Sequence, residues 1–322
     1  MRSSMFSVAP FAAKKMTWAA GLFVVLVAGA GCGGAVLPEE PEPGLAQDTQ
    51  SLEGDNGLDP NGLATNGLAT NGLATNGLAT NGLATNGAFA SWLNQDPAVR
   101  ADLMKYIVAC AVPAGQARTY TNRSTGVHYS WSGHLGLTPD WASGKRATET
   151  EEQLVSACLA AHANPYGWHV TFSIQGRNAK GVAIASTAQE LSDYNVREAC
   201  FFGNLFRNQG LYAGNDRNSL EHDESTVRGC GLSSTQFGVN PDCTPILRVG
   251  SCSQFACTLD PSGLFYSNCS LWGINYHPVT TRLSPSSINV CGDGVCQATE
   301  QCGRGRGQRQ PDNCSVDCGI CR

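Results

Sequence analysis

From Asp96 onward apolar residues recur at helical spacing: Val99, Leu103, Ile107 and Cys110 share one face, behind Asp96 as an N-cap acceptor and Pro97 at the first helical position. A second helix is predicted in TETEEQLVSACLAAHANPYG. There Thr148 and Glu151 match a capping box, Leu154, Cys158 and Leu159 face one way, and Pro165 and Gly167 end the run. VHYSWSG and WHVTFSI have strand character, the latter placing Trp168, Val170, Phe172 and Ile174 on one face. A third helix is predicted through TAQELSDYNVREACFFGNLF. From Arg207 to about Asn289 the chain is rich in Gly, Ser and Asn, with Cys every few residues. Disulfides rather than a large core are expected to hold that part. The pattern predicts a disulfide-stabilised α+β domain over 88–290.

Ahead of this domain the rhythm changes. VLPEEPEPGLAQDTQSLEGDNGLDP is acidic and rich in Pro and Gly, the composition of a linker. It leads into NGLAT, written five times without a change from Asn61 to Thr85. On a continuous helix at ~100° per residue, leucines five apart step by ~140° and form no stripe; on a strand an odd period sends them to both faces. The expectation is a flexible tether over 32–87, on the order of 40 Å end to end as a Gly-rich coil. The period also resembles that of pentapeptide-repeat proteins, whose four-sided β-helix points a central Leu or Phe inward. That resemblance implies an inward Leu63, Leu68, Leu73, Leu78 and Leu83, but Asn61, Asn66, Asn71, Asn76 and Asn81 stand where the fold has small apolar residues. Ordering of the repeat on a partner is a third reading.

Residues 1–31 carry Arg2, Lys14 and Lys15 before the uncharged run MTWAAGLFVVLVAGAG, the layout of a secretory signal. With roughly 15 apolar residues the run is shorter than the ~20 that a bilayer span needs. Cys32 follows small residues in LVAGAGC, which resembles the lipobox of bacterial prolipoproteins, with Gly29 where that pattern has Leu. The resemblance implies cleavage before Cys32 and membrane lipid as a partner through its acylated thiol. Each buried methylene of an acyl chain adds ~0.8 kcal/mol of anchoring. The alternative is an ordinary small-residue cleavage that leaves Cys32 one thiol among many.

The chain holds 15 cysteines. Cys32 stands alone. Cys110, Cys158, Cys200, Cys230, Cys243, Cys252, Cys257 and Cys269 form one block; Cys291, Cys296, Cys302, Cys314, Cys318 and Cys321 form another. With Cys32 acylated both blocks are even, and each can close on itself in an oxidising compartment. Spacing leaves the pairing open.

The second block lies in CGDGVCQATEQCGRGRGQRQPDNCSVDCGICR. This segment resembles small cysteine-rich modules of secreted proteins that run CGDG-x-C, then Glu, then Cys, and end in DCG with a nearby Cys. Gly292, Asp293, Gly294, Glu300, Asp317 and Gly319 match that pattern along with the cysteines, while GRGRGQRQPDN departs from its compact spacing. Residues 291–322 are therefore read as a separate small module. Its thiolates suit zinc as an alternative to disulfides. Asp293, Glu300 and Asp317 offer oxygen ligands to Ca²⁺, with capping and turn roles as the alternative. Cys318 and Cys321 form a C-x-x-C, but no helix follows it as a thioredoxin-like motif requires.

Charge and motifs bound the function. The formal net charge is -5 with no basic stripe, which argues against nucleic acid as a partner. G-x-S-x-G, H-E-x-x-H, Walker A and G-x-G-x-x-G are all absent. The catalytic candidates are Glu198, set beside Cys200, Phe201 and Phe202 where desolvation would suit a general acid, and His162 with His169, which bracket a turn and suit a metal. Glu221 to Glu224 surround His222 in a charged segment read as a solvated loop. Lipobox, repeat, cysteine-rich domain and tail together resemble surface lipoproteins of myxobacteria, which implies a place in the bacterial cell envelope, at the outer membrane or cell surface, and no reaction. The preferred expectation is a non-enzymatic envelope lipoprotein that displays a binding or adhesion domain for an extracellular or envelope protein or glycan, with no cofactor beyond Ca²⁺ in the tail. A hydrolase-like enzyme on the same anchor is the alternative.

Overall fold

The computed structural model describes residues 53–55, 58, 68, 71–164, 170–216, 224–225, 238–239, 243–253, 257–297 and 314–319. Strand β1 is Glu53–Asp55, followed by four helices: α1 (Leu73–Asn76), α2 (Thr80–Thr85), α3 (Gly87–Gln95) and α4 (Pro97–Ala111). Next come the hairpin β2 (Ala117–Thr121) and β3 (His128–Ser132), the short α5 (Pro139–Ala142), α6 (Glu149–His162) and β4 (Thr171–Gln175). Helix α7 (Ala188–Asp193) precedes β5 (Val196–Gly203), β6 (Leu211–Asn215), β7 (Glu224–Ser225), β8 (Gly238–Val239) and β9 (Ile246–Ser251). The chain continues through β10 (Cys257–Leu259), β11 (Tyr266–Leu271), β12 (Ile274–Tyr276), β13 (Val279–Leu283), β14 (Asn289–Val290) and α8 (Ser315–Cys318). The α+β class with disulfide bracing is the architecture observed.

Seven strands form the main sheet in the order β1-β4-β13-β5-β6-β9-β8, antiparallel except where β6 runs parallel to β9. Its two faces are read directly from alternation along β5 and β6. Ala199, Phe201, Leu211 and Ala213 join the core under the helices, whereas Cys200, Phe202 and Tyr212 join a second core with Tyr266, Cys269, Leu271 and Tyr276 of the small sheet β10-β11-β12. The order is thus helices, large sheet, small sheet. Helix α6 packs across β5, β6 and β13 on the first face. Every residue from Glu151 to His162 is buried, so the helix has no single apolar stripe.

The two helix starts form as the sequence predicts. The Asp96 side chain accepts from the Val99 amide, and Thr148 with Glu151 makes both bonds of a capping box. Val99 itself is 43 % exposed and does not join the buried face. The predicted third helix is corrected. It ends at Asp193, and Val196–Gly203 is a central strand bonded to β13 and β6. Apolar β-forming residues placed between two strands are buried on both faces, and that tertiary setting overrides the helical spacing.

The repeat is corrected as well. Leu68, Leu73, Leu78 and Leu83 of the repeat, and Leu58 ahead of it, are at most 2 % exposed and belong to the helix-side core, while Leu63 lies outside the described residues. Over 71–85 the repeat is neither tether nor β-helix but two short helices broken at Gly77, whose φ of 75° lies in the left-handed region. The break resets the helical phase, so leucines five apart return to the same side. Hydrogen bonds seat the strap on the domain. The Trp141 indole donates to the Leu73 carbonyl at 2.8 Å, the Leu78 amide to the Trp141 carbonyl at 3.0 Å, and the Ala147 amide to the Ala74 carbonyl at 2.8 Å. Burying each leucine contributes about 1.5–3 kcal/mol relative to exposure. The folded part therefore begins well before residue 88. Residues 1–52, with the signal and Cys32, lie outside the described residues.

Five disulfides join pairs of described residues, and Cys243 is disulfide-bonded as well. Cys110–Cys158 ties α4 to α6, Cys200–Cys252 and Cys257–Cys269 serve the second core, and Cys291–Cys314 and Cys296–Cys318 close the tail. Cys200–Cys252 passes over Gly214 of β6, where an added Cβ would meet the two sulfurs at 3.0 and 3.2 Å. Cys230, Cys302 and Cys321 lie outside the described residues. No helix among the described residues is long and apolar enough to cross a membrane.

Candidate functional site

The small sheet turns one face inward and one outward. Cys257, Cys269, Leu271 and Tyr276 are buried against the large sheet. Alternation then sends their neighbours out, and the register sets Thr258 opposite Asn268 and Ser270 opposite Asn275. These four outward side chains carry only hydroxyls and amides, and none is engaged by another described residue. Between Pro261 and Thr281 the sequence has no Asp, Glu, Lys or Arg.

Trp272 stands at the tip of this sheet, where Trp272 and Gly273 join β11 to β12. Their φ angles of 51° and 79° are both left-handed, as a two-residue hairpin turn of the primed type demands. Glycine or asparagine meets that demand easily; a bulky tryptophan does so under strain. The side chain is nevertheless 69 % exposed. Its ring meets Tyr212 nearly perpendicularly, with centroids 5.6 Å apart. Tyr212 is fixed from below by Phe202 at 5.3 Å and Tyr276 at 6.0 Å, and its hydroxyl donates to the Gln209 carbonyl at 2.6 Å. Burial raises the pKa of the Tyr212 phenol, which therefore keeps its proton. An exposed indole thus stands on a rigid aromatic base at the tip of a small sheet whose outward side chains are polar and uncharged.

A separate cavity of about 190 Å³ opens where α6, the segment after β4, and β11 meet, with Thr150, Leu154, Arg177, Asn178, Tyr266 and His277 among its lining. Arg177 and Tyr266 have structural partners there. Arg177 pairs with Asp260 at 2.8 Å and lies over the Phe265 ring. Tyr266 donates to Asp216, which also holds Arg197 at 2.6 Å; desolvation first, and then Asp216, pushes the phenol pKa far upward. Desolvation lowers the pKa of His277 and favours neutral imidazole, though the residue as a whole stays exposed, which limits the effect. The Ser267 hydroxyl donates to the Thr258 carbonyl at 3.2 Å rather than to a base. This wall offers polar contacts, not an activated nucleophile.

The residues singled out by sequence are scattered. Glu198 is fully buried within β5 and does not line the cavity. His162 is buried between the rings of Tyr106 and Phe172, at 5.1 and 5.3 Å. It lies beside Cys110 and Cys158, whose sulfurs are bonded to each other. His169, Glu300 and Cys32 fall outside the described residues, as does the segment around His222 apart from the backbone of Glu224. In the tail, Asp317 accepts the amides of Gly292 and Gly294, and Asp293 accepts the Val295 amide at 2.8 Å and the Gln297 side chain at 2.8 Å. Both carboxylates therefore fasten turns, clasping the CGDG loop to α8. Trp272 and its polar face went unmarked in the sequence reading; the signal available was the charge-free SNCSLWGINY, with a Trp-Gly pair between two alternating runs.

Comparison with known families gives one match: residues 60–87 correspond to the GLTT repeat, in six copies. No curated protein and no solved structure matches the chain. The match covers the strap and leaves the sheet that carries Trp272 outside it.

Proposed function

We propose that this chain is a lipid-anchored protein of the bacterial cell envelope whose disulfide-braced domain binds an envelope or extracellular partner without catalysis. The observation that carries the reading is Trp272: an indole 69 % exposed on a strained turn, braced by Tyr212, is a contact residue in search of a surface. The engaged state of Arg177, Tyr266 and Ser267 in the cavity favours binding over hydrolysis. Acylation at Cys32 would hold the domain near its membrane. Because the repeat is seated, the spacer is the 20 residues between Cys32 and Glu53, whose 21 steps reach at most about 75 Å even when fully extended.

Two measurements on the full chain test this. Intact mass and thiol counting on protein taken from its membrane should show acylated Cys32 and no free thiol. Cells carrying the wild-type chain should capture isolated envelope material, and cells carrying Trp272→Ala should not. An unmodified Cys32 removes the anchor, and equal capture by both chains removes the binding surface.

A further inference from the structure

The ligand class follows from what surrounds the indole. We propose that Trp272 and the outward face of β10–β12 bind a neutral saccharide. This rests on the reading of the domain as a binding module and adds the chemistry of its ligand.

A pyranose ring presents C–H bonds on one face and hydroxyl groups around its rim. The indole of Trp272 supplies the apolar plane, held by its edge contact with Tyr212. Holding the ring beforehand lowers the entropy lost on binding. The rim hydroxyls need donors and acceptors at short range, and Thr258, Asn268, Ser270 and Asn275 offer both from one face. Cross-strand partners sit about 5 Å apart, and diagonal ones about 7–8 Å, which is the scale of one sugar ring. The strand beneath is anchored too, because the Gln153 amide donates to the Asn275 carbonyl at 3.3 Å.

Charge decides against other partners. An acidic peptide, a phosphate or an anionic lipid surface needs Lys or Arg, and a basic peptide needs Asp or Glu; residues 261–281 contain none of these. The ionised groups at the borders are taken, Asp260 by Arg177 and Arg282 by the carbonyls of Tyr194 and Asn195. The strands themselves carry no charge, and Glu149, which reaches the aromatic base through Tyr276, is paired with Arg207 at 3.2 Å, so the surface suits a ligand that carries none.

The test is calorimetric titration of the full chain with cellohexaose, maltohexaose and chitohexaose, with a heparin hexasaccharide and phosphatidylglycerol vesicles as charged probes. At least one neutral hexaose is expected to bind, with affinity reduced at least about tenfold in Trp272→Ala and only a few-fold in Trp272→Phe, which keeps an aromatic plane. Ser270→Asp, which sets a charge on the face, should weaken binding comparably. Circular dichroism and melting curves confirm that each variant is folded. Binding confined to heparin or to vesicles overturns the proposal, as does neutral binding that Trp272→Ala leaves intact. If no neutral hexaose binds while envelope capture still depends on Trp272, the saccharide assignment falls and the binding-module reading stands.

Discussion

Gly77 of the repeat meets Gly144 of the α5–α6 connection so closely that a Cβ on Gly77 would stand 2.3 Å from the Gly144 carbonyl oxygen. The approach locks a repeat unit to the domain, and backbone rather than a flexible side chain would have to move. Gly77→Ala also forces alanine to a φ of 75°. We expect this substitution to destabilise by about 2–4 kcal/mol. Gly87→Ala is the contrast, with nothing within 4 Å of its added Cβ and a place at the start of α3. It should be neutral or stabilise by up to about 1 kcal/mol. Urea denaturation of the two variants gives the sign of each, and equal effects would mean that the repeat is not seated.

Identical units make the strap degenerate in register. Removal of one NGLAT shifts the chain by five residues, after which the four remaining units can still supply leucines to the sites of Leu68, Leu73, Leu78 and Leu83. What is lost is the seating of Leu58, whose amide donates to the His162 carbonyl at 3.2 Å and whose carbonyl accepts from Asn164 at 2.9 Å, together with the three-residue pairing of the edge strand β1 to β4. A one-unit deletion should therefore cost no more than one buried Leu→Ala, at most about 2–5 kcal/mol, and the double variant Leu73→Ala/Leu78→Ala should cost clearly more. Denaturation midpoints with an unchanged m-value would establish the order.

Local signals in the sequence told the truth where local chemistry decides. Asp96 before Pro97, and Thr148 three residues before Glu151, each satisfy amides in their own first turn, so those helix starts need no tertiary help. The strand at Val196–Gly203 was illegible because its helical spacing is accidental; only the flanking strands β13 and β6, distant in sequence or joined by a later turn, fix its conformation. The repeat misled for a related reason. A period of five fits no continuous element, and the break at Gly77 that rescues it becomes visible only against Gly144 and Trp141. The candidate site was hidden further, since the outward role of Ser270 and Asn275 depends on the register of β11 with β12.

Asp260 supplies a pH dependence. Its bond to Arg177, followed by the Ser262 amide and hydroxyl, holds its carboxyl down to about 2. The folded value lies below the unfolded one near 4, so the stabilisation is complete above about pH 4 and is lost as pH falls toward about 2. Asp260→Asn should melt lower than wild type at neutral pH, and the gap should close between pH 4 and 2. A gap that stays constant across that window would show that the carboxylate is not what stabilises.

The link between α4 and α6 carries a separate expectation. Cys110–Cys158 closes a loop with a sequence separation of 48, for which loop-closure entropy gives about 4 kcal/mol. The buried pair Cys110→Ala/Cys158→Ala should lower stability by about that amount or somewhat more, since two small cavities are added. A loss below 1 kcal/mol would indicate that the packing of the two helices suffices without the bond.

Strain at Trp272 can be separated from its contacts by choosing what replaces it. Alanine and asparagine both remove the contact with Tyr212, worth about 0.5–1.5 kcal/mol. Only asparagine tolerates a left-handed φ of 51° readily, and with Gly273 it restores the Asn-Gly pair that such turns favour. The contact term cancels in the comparison, so Trp272→Asn should be more stable than Trp272→Ala by about 0.5–1 kcal/mol. Melting curves of the two variants measure that difference directly. If it is present, the wild-type chain keeps a strained tryptophan where an unstrained residue would stabilise the turn, as expected for a side chain retained for contact with a partner. Equal stability would mean that the turn relaxes around any residue, and the conformation of Trp272 would then say nothing about binding.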